Sequence, residues 1–145
     1  MTIGAIPSLA EGDLRLLNPI KLKGGYILTY FMLIYAEIHP FSRRSDLESL
    51  LEELGGFHGF DVPDAPMGHP TPIPISIACM ARGMYPSKPI IINQRLMDVN
   101  ELHVRSLIKG AKMLGLDVAF TQGDQPKMGR AVGYLQTEDA VRLAK

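Results

Sequence analysis

The sequence predicts an α/β fold built from four strand–helix units in series. Three observations lead to it. Four short apolar runs have the length and composition of strands: "LIYAE" (33–37), "GFDV" (59–62), "KPIIIN" (88–93) and "LDVAFT" (116–121). Helical patterns follow them, most ending at glycine. The residues that break the apolar pattern collect at strand exits: Glu37, "PDAPMG", "NQR" and "QGDQP". Strands this apolar are expected to be covered on both faces of a parallel sheet, doubly wound or part of an eight-fold barrel. In both architectures ligands bind at the carboxyl ends of strands, so all four exits are expected on one rim.

Residues 1–31 read differently, with no sustained period and frequent Gly and Pro. Met32 offers an alternative start, which would make them an atypical extension. From there "MLIYAEIHPF" forms a strand ending at Pro40. In "SDLESLLEELGG", Ser45 and Glu48 match a capping box, Leu47, Leu50, Leu51 and Leu54 make one stripe, and Gly55 supplies a left-handed stop. After the strand at 59–62 comes the proline-rich loop "PDAPMGHPTPIP", then a small apolar helix over 75–83 ending at Gly83. The isoleucine-rich strand at 88–93 leads into a helix from about Asp98 to Leu114, with Val104, Leu107, Ile108, Ala111 and Leu114 on one face and Gly115 as its stop. Beyond the last strand, Thr137 is expected to cap "EDAVRLAK".

Composition excludes several classes. The 145 residues carry 15 basic and 15 acidic side chains, so no basic footprint for nucleic acid is present. A hydrophobic fraction of 46% suffices for one core. The longest apolar stretch, "GGYILTYFMLIYAEI" (24–38), has an uninterrupted portion too short for a bilayer, and Glu11, Asp13 and Glu37 around it fit a signal peptide poorly. One cysteine, Cys79, rules out an internal disulfide framework and suits a reducing cytoplasm; it is expected to be a packed thiol. The histidines lack metal-ligand spacing, and His39 and His58 are expected in turns or on the rim. No GxGxxG turn follows any strand, which counts against a generic nucleotide fold.

Four segments resemble the flavin-dependent methylenetetrahydrofolate reductases: "AEIHPF" (36–41), "DAPMGHP" (64–70), "LGLDVAFTQGDQPKMG" (114–129) and "AVGYLQTEDAVRLA" (131–144). They stand in family order, and the resemblance covers Met32–Lys145. It implies half of a TIM-type (β/α)8 barrel, here with about four strands. It further implies FAD as cofactor, a folate-type pterin as substrate, and a nicotinamide nucleotide or other electron donor. Glu37 matches the family's catalytic glutamate, a general acid that opens the folate's five-membered ring to an iminium cation. Such an acid needs a pKa raised from about 4.3. Asp124 matches the aspartate beside the flavin ring, Gly123 would let the backbone approach it, and Thr121 and Gln122 would line the same wall. Pro63 stands where the family often has a flavin-contacting threonine, and "IIINQR" replaces a histidine–threonine exit. Asn93 is the candidate cofactor contact there, Arg95 a phosphate or structural partner, and Met67 a further contact. Family members have eight units, whereas this sequence ends inside a helix pattern after four. The expectation is a homo-oligomer or a complementary half-barrel chain; the rival expectation is a non-catalytic subunit or remnant serving assembly.

Overall fold

The computed structural model describes the backbone of residues 18–22 and 25–29 and the whole of residues 32–145. The chain divides into two compact units, Met1–Leu33 and Ile34–Lys145. In the first, β1 (Asn18–Leu22) and β2 (Gly25–Thr29) pair as an antiparallel hairpin, with Asn18 opposite Thr29. The remainder of the expected extension, including Glu11 and Asp13, lies outside the described residues.

The second unit is the α/β fold. Its sheet contains β3 (Tyr35–Glu37), β4 (Gly59–Pro63), β5 (Ile90–Arg95) and β6 (Asp117–Thr121), all parallel and in the order β3-β4-β5-β6. Helices α1 (Arg44–Glu53), α2 (Pro74–Met84) and α3 (Glu101–Leu114) connect successive strands, and α4 (Thr137–Ala144) follows β6. A strictly sequential order puts every crossover on the same side, because right-handed connections reach the other face only where strand order reverses. The sheet is therefore singly wound, and the doubly wound option falls.

Side-chain alternation records the same asymmetry. Ala36, Ile38, Phe60, Val62, Ile90 and Ile92 are buried against Leu47 and Leu51 of α1, Ile77, Ala78 and Ala81 of α2, and Ala111 of α3. A second cluster joins Leu96, Val104 of α3, Leu135 and Ala140 of α4, with Phe120 of β6 packed against it. The opposite face carries Glu37, Asp61, Ile91, Asn93, Asp117, Ala119 and Thr121, all half-buried or exposed. Covering of the strands on both faces, expected from their composition, is thus corrected. The helices cover one face, and the other mixes polar side chains such as Glu37, Asp61, Asn93, Asp117 and Thr121 with Ile91 and Ala119.

Several element ends differ from expectation for local reasons. α1 starts at Arg44, so Ser45 lies inside it and the capping box does not form. Arg43 instead reaches forward to Asp46, with Nε to Oδ2 at 2.8 Å. Gly55 is not left-handed; α1 passes into a 3-10 turn over Leu54–Gly56. Its glycine is required by a close approach, since a Cβ there would stand 2.5 Å from the Tyr85 hydroxyl, which donates to the Leu51 carbonyl. α3 begins after Asn100, whose side chain accepts from the His103 N–H at 3.0 Å, and Gly115 ends it at φ 63° as expected. α4 starts at Thr137 itself, with no side-chain cap. Cys79 is exposed rather than packed, because Ile77, Ala78 and Ala81 turn α2's apolar stripe away from it. Among the described residues no helix is long and apolar enough to cross a membrane.

Candidate functional site

Parallel pairing sets the strand exits on one rim. Glu37 stands opposite Asp61, Pro63 opposite Asn93, and Arg95 opposite Thr121. Between the exits of β4, β5 and β6 lies a cleft of about 170 Å³ lined by Pro63, Asp64, Met67, Asn93, Arg95, Thr121, Gly123 and Asp124. Five expected cofactor contacts, Pro63, Asn93, Thr121, Gly123 and Asp124, thus share one cleft, as does Met67. Gln122 does not line it; its carbonyl accepts from the Met97 N–H at 3.1 Å, tying the turn to the chain after β5. Glu37 lies at the other end of the sheet, on the same helix-free face. Three strand spacings of about 4.8 Å separate β3 from β6, so Glu37 and Asp124 flank the rim without touching.

Arg95 organises the cleft. Its side chain is only 4% exposed although it emerges on the open face. The guanidinium donates to the Asp98 carboxylate, to the Ala65 carbonyl at 3.4 Å and to the Asp124 carbonyl. Those three acceptors sit after β4, β5 and β6. Gly123 folds over the arginine stem at φ 80°, and a Cβ there would meet Arg95 Cγ at 3.2 Å. Of the two roles expected for Arg95, this geometry assigns the structural one, because its buried guanidinium ties three loops together.

A second tie joins the loops after β4 and β6. Gly68 lies at φ 77°, its carbonyl accepts from the Lys127 N–H at 2.9 Å, and a Cβ would stand 2.3 Å from the Gln125 carbonyl oxygen. Ala65 and Met67 beside it are also left-handed, at φ 42° and 56°, a strained turn that holds Met67 outward. Gly68→Ala is expected to cost about 2–3 kcal/mol, since both the backbone angle and the contact forbid it. Urea unfolding measures the loss, and proteolysis at residues 123–128 should accelerate with it.

Two carboxyls complete the site: Asp61, missed by sequence reasoning, and Asp64 of the expected rim segment "PDAPMG". Asp61, inside β4, points to the open face between Glu37 and Asn93, and its Oδ1 is buried without a hydrogen-bond partner. Burial first, then the charge of Glu37, pushes its pKa up, against smaller lowering by the Asn93 side chain and the Val62 backbone. Asp64 lies at the exit of β4. Its Oδ2 accepts from Gln94 Nε2 and, at 3.4 Å, from the Arg95 N–H. Burial pushes its pKa up too; Arg95, through its backbone N–H and its charge, and His103 offset part of this, while Asp98 adds to it. The available signal was "FDV", a carboxylate between two apolar residues at strand period.

These shifts fix a pH dependence. A carboxyl raised in the fold binds its proton there more tightly than in the unfolded chain. Its contribution to stability is full below the ordinary aspartate range and is lost as pH rises through the raised value. Asp61→Asn should therefore flatten the decline of stability above that range and make the chain more stable than wild type at neutral pH. Urea midpoints measured across pH check this; parallel curves for the two chains would contradict it.

Comparison with known proteins identifies no relative: no family model, no curated protein and no solved structure matches the chain.

Proposed function

We propose that the chain is half of a flavin-dependent reductase that converts 5,10-methylenetetrahydrofolate, or a related pterin, to the 5-methyl form in one-carbon and methionine metabolism. The observation that carries the reading is the sidedness of the sheet. All helices pack on one face, and the other presents Glu37, Asp61 and Asn93 below a rim that ends in Gly123–Asp124. A (β/α)8 barrel places its interior and its site in the same relation to its helices. In this reading the sheet is an arc of four strands whose edges, β3 and β6, pair with a complementary half that supplies the remaining strands. Every residue of β6 is at least partly exposed, as an edge awaiting a neighbour would be.

The cleft fits the ring portion of FAD better than its diphosphate. Asn93 Oδ1 is buried and lacks a donor among the described residues, which suits an N–H at a ring edge, and Gly123 lines the same cleft. Pro63 offers no N–H and Arg95 is buried with its guanidinium turned to three loops, so this reading gives the diphosphate to the complementary half. FAD when bound supplies the reducing equivalents, drawn from a nicotinamide nucleotide or another donor. Glu37 gives a proton to the folate ring nitrogen at the open face. Asp124 presents a negative charge toward the cation this creates. The protein would act in the reducing cytoplasm. Anaerobic mixing of photoreduced FAD, the chain and methylenetetrahydrofolate tests the activity: the flavin band should return only when all three are present, and its failure to return in any assembled form of the chain would refute the reading.

A second reading is favoured by one observation. Pro63 and the "NQR" exit, whose Arg95 is buried as a structural tie, are departures at positions where a cofactor would be gripped, as expected of a non-catalytic subunit that retains only assembly.

A further inference from the structure

We infer that the cavity between the starts of α2 and α3 is a second ligand site, for a small molecule with an apolar body and one ammonium group. Binding there requires neither flavin nor folate.

The cavity has a volume of about 290 Å³, near the lower edge of the range for small-molecule sites. It lies on the helix side of the sheet, because Gln94, which follows Ile90 and Ile92 on that side of β5, lines it. Ile75, Val99 and Leu107 give it a half-buried apolar wall. Ile73 also lines it and is 65% exposed, so the chamber is reached from solvent. The polar lining consists of acceptors. Gln94 is 2% exposed, and its Nε2 donates to both Asp64 Oδ2 and the Arg95 carbonyl. Two acceptors on one amide nitrogen fix the orientation of the amide, leaving Oε1 without a donor among the described residues. The Asp64 and Asp98 carboxylates line the same cavity. A ligand here must therefore bring hydrogen-bond donors.

Charge selects among donors. Asp64 and Asp98 share one guanidinium, that of Arg95, so a single positive charge is the missing complement. Burial holds Asp64 toward its neutral form, and a cation beside it favours the ionised one. His103 is the remaining titratable side chain lining the cavity. An anion is disfavoured even though two helices begin here. The Glu101 and His103 N–H groups of α3 donate to the Tyr134 hydroxyl and to Asn100 Oδ1. Pro74, at the start of α2, has no N–H to offer.

Methyl-carbon NMR of the full chain, without flavin or folate, tests this separately from the proposed reaction. 2-Phenylethylammonium should shift the Ile73, Ile75, Val99 and Leu107 methyl resonances saturably, with a Kd of about 1 mM for a fragment of this size. The neutral isostere 2-phenylethanol should bind about tenfold more weakly, the difference between a charged and a neutral hydrogen-bonded head. 3-Phenylpropionate should not bind. Asp64→Asn keeps an acceptor for Gln94 and should remove most of the preference for ammonium over alcohol. Leu107→Trp should abolish binding of both by filling the chamber. Equal affinity for alcohol and ammonium, saturable shifts confined to other methyls, or no saturable shift at about 20 mM ammonium would overturn the inference. Should either variant not fold, the wild-type comparison of the three probes decides alone, by the same outcomes.

Discussion

Arg95→Met lowers stability by about 3 kcal/mol and releases the loop that carries Asp124. The magnitude follows from what the guanidinium leaves behind. The Ala65 and Asp124 carbonyls lose a charged donor, and Asp98 loses its ion-pair partner. Asp98 is 35% exposed and can rehydrate, which keeps the cost below that of a fully buried broken pair. Methionine keeps the stem on which Gly123 rests, so the loss reports the hydrogen bonds rather than a cavity. Arg95→Lys should recover only a minor part, because one ammonium cannot reach acceptors on three separate loops. Urea unfolding gives the free energy, and amide exchange at residues 122–125 should rise in both variants. An unchanged midpoint for Arg95→Met would show that the rim holds together without its arginine.

Glu37→Gln reduces turnover by about 10²–10⁴-fold, the range for removal of a positioned general acid. Flavin affinity should stay at the wild-type level, because the cofactor cleft lies at the exits of β4 to β6 and Glu37 does not line it. Stability should stay within about 0.5 kcal/mol, since an exposed rim side chain makes few contacts and the change relieves repulsion on Asp61. Steady-state turnover beside a flavin titration separates the two effects. Unchanged turnover with intact binding would show that Glu37 is not the acid, and no turnover in wild type either would support the assembly-subunit reading.

Strand positions were legible because β5 and its neighbours are dominated by isoleucine, valine and phenylalanine in short runs bounded by turn residues. The rim was legible for a topological reason. Parallel strands place all their exits at one end, so Pro63, Asn93, Thr121, Gly123 and Asp124 had to approach one another. Helix starts were less so. The Ser45–Glu48 pattern pointed to a start at Ser45, whereas α1 begins at Arg44 with no side-chain cap. The sidedness of the sheet was hidden, because a short strand such as "GFDV" does not say which alternate residues meet helices. Asp61 was lost with it. Arg95 stayed ambiguous because two of its acceptors lie 29 and 30 residues away along the chain, a separation no local pattern encodes.

The mass of the flavin-bearing species tests the central claim most directly. Light scattering on a gel-filtered mixture of the chain and FAD, read together with the flavin's visible band, measures assembly and cofactor in one experiment. The account predicts that the visible band elutes with an assembly of two or more half-barrels. A folded, colourless monomer, with all FAD in the small-molecule fraction and none recovered when other chains are supplied, would contradict it.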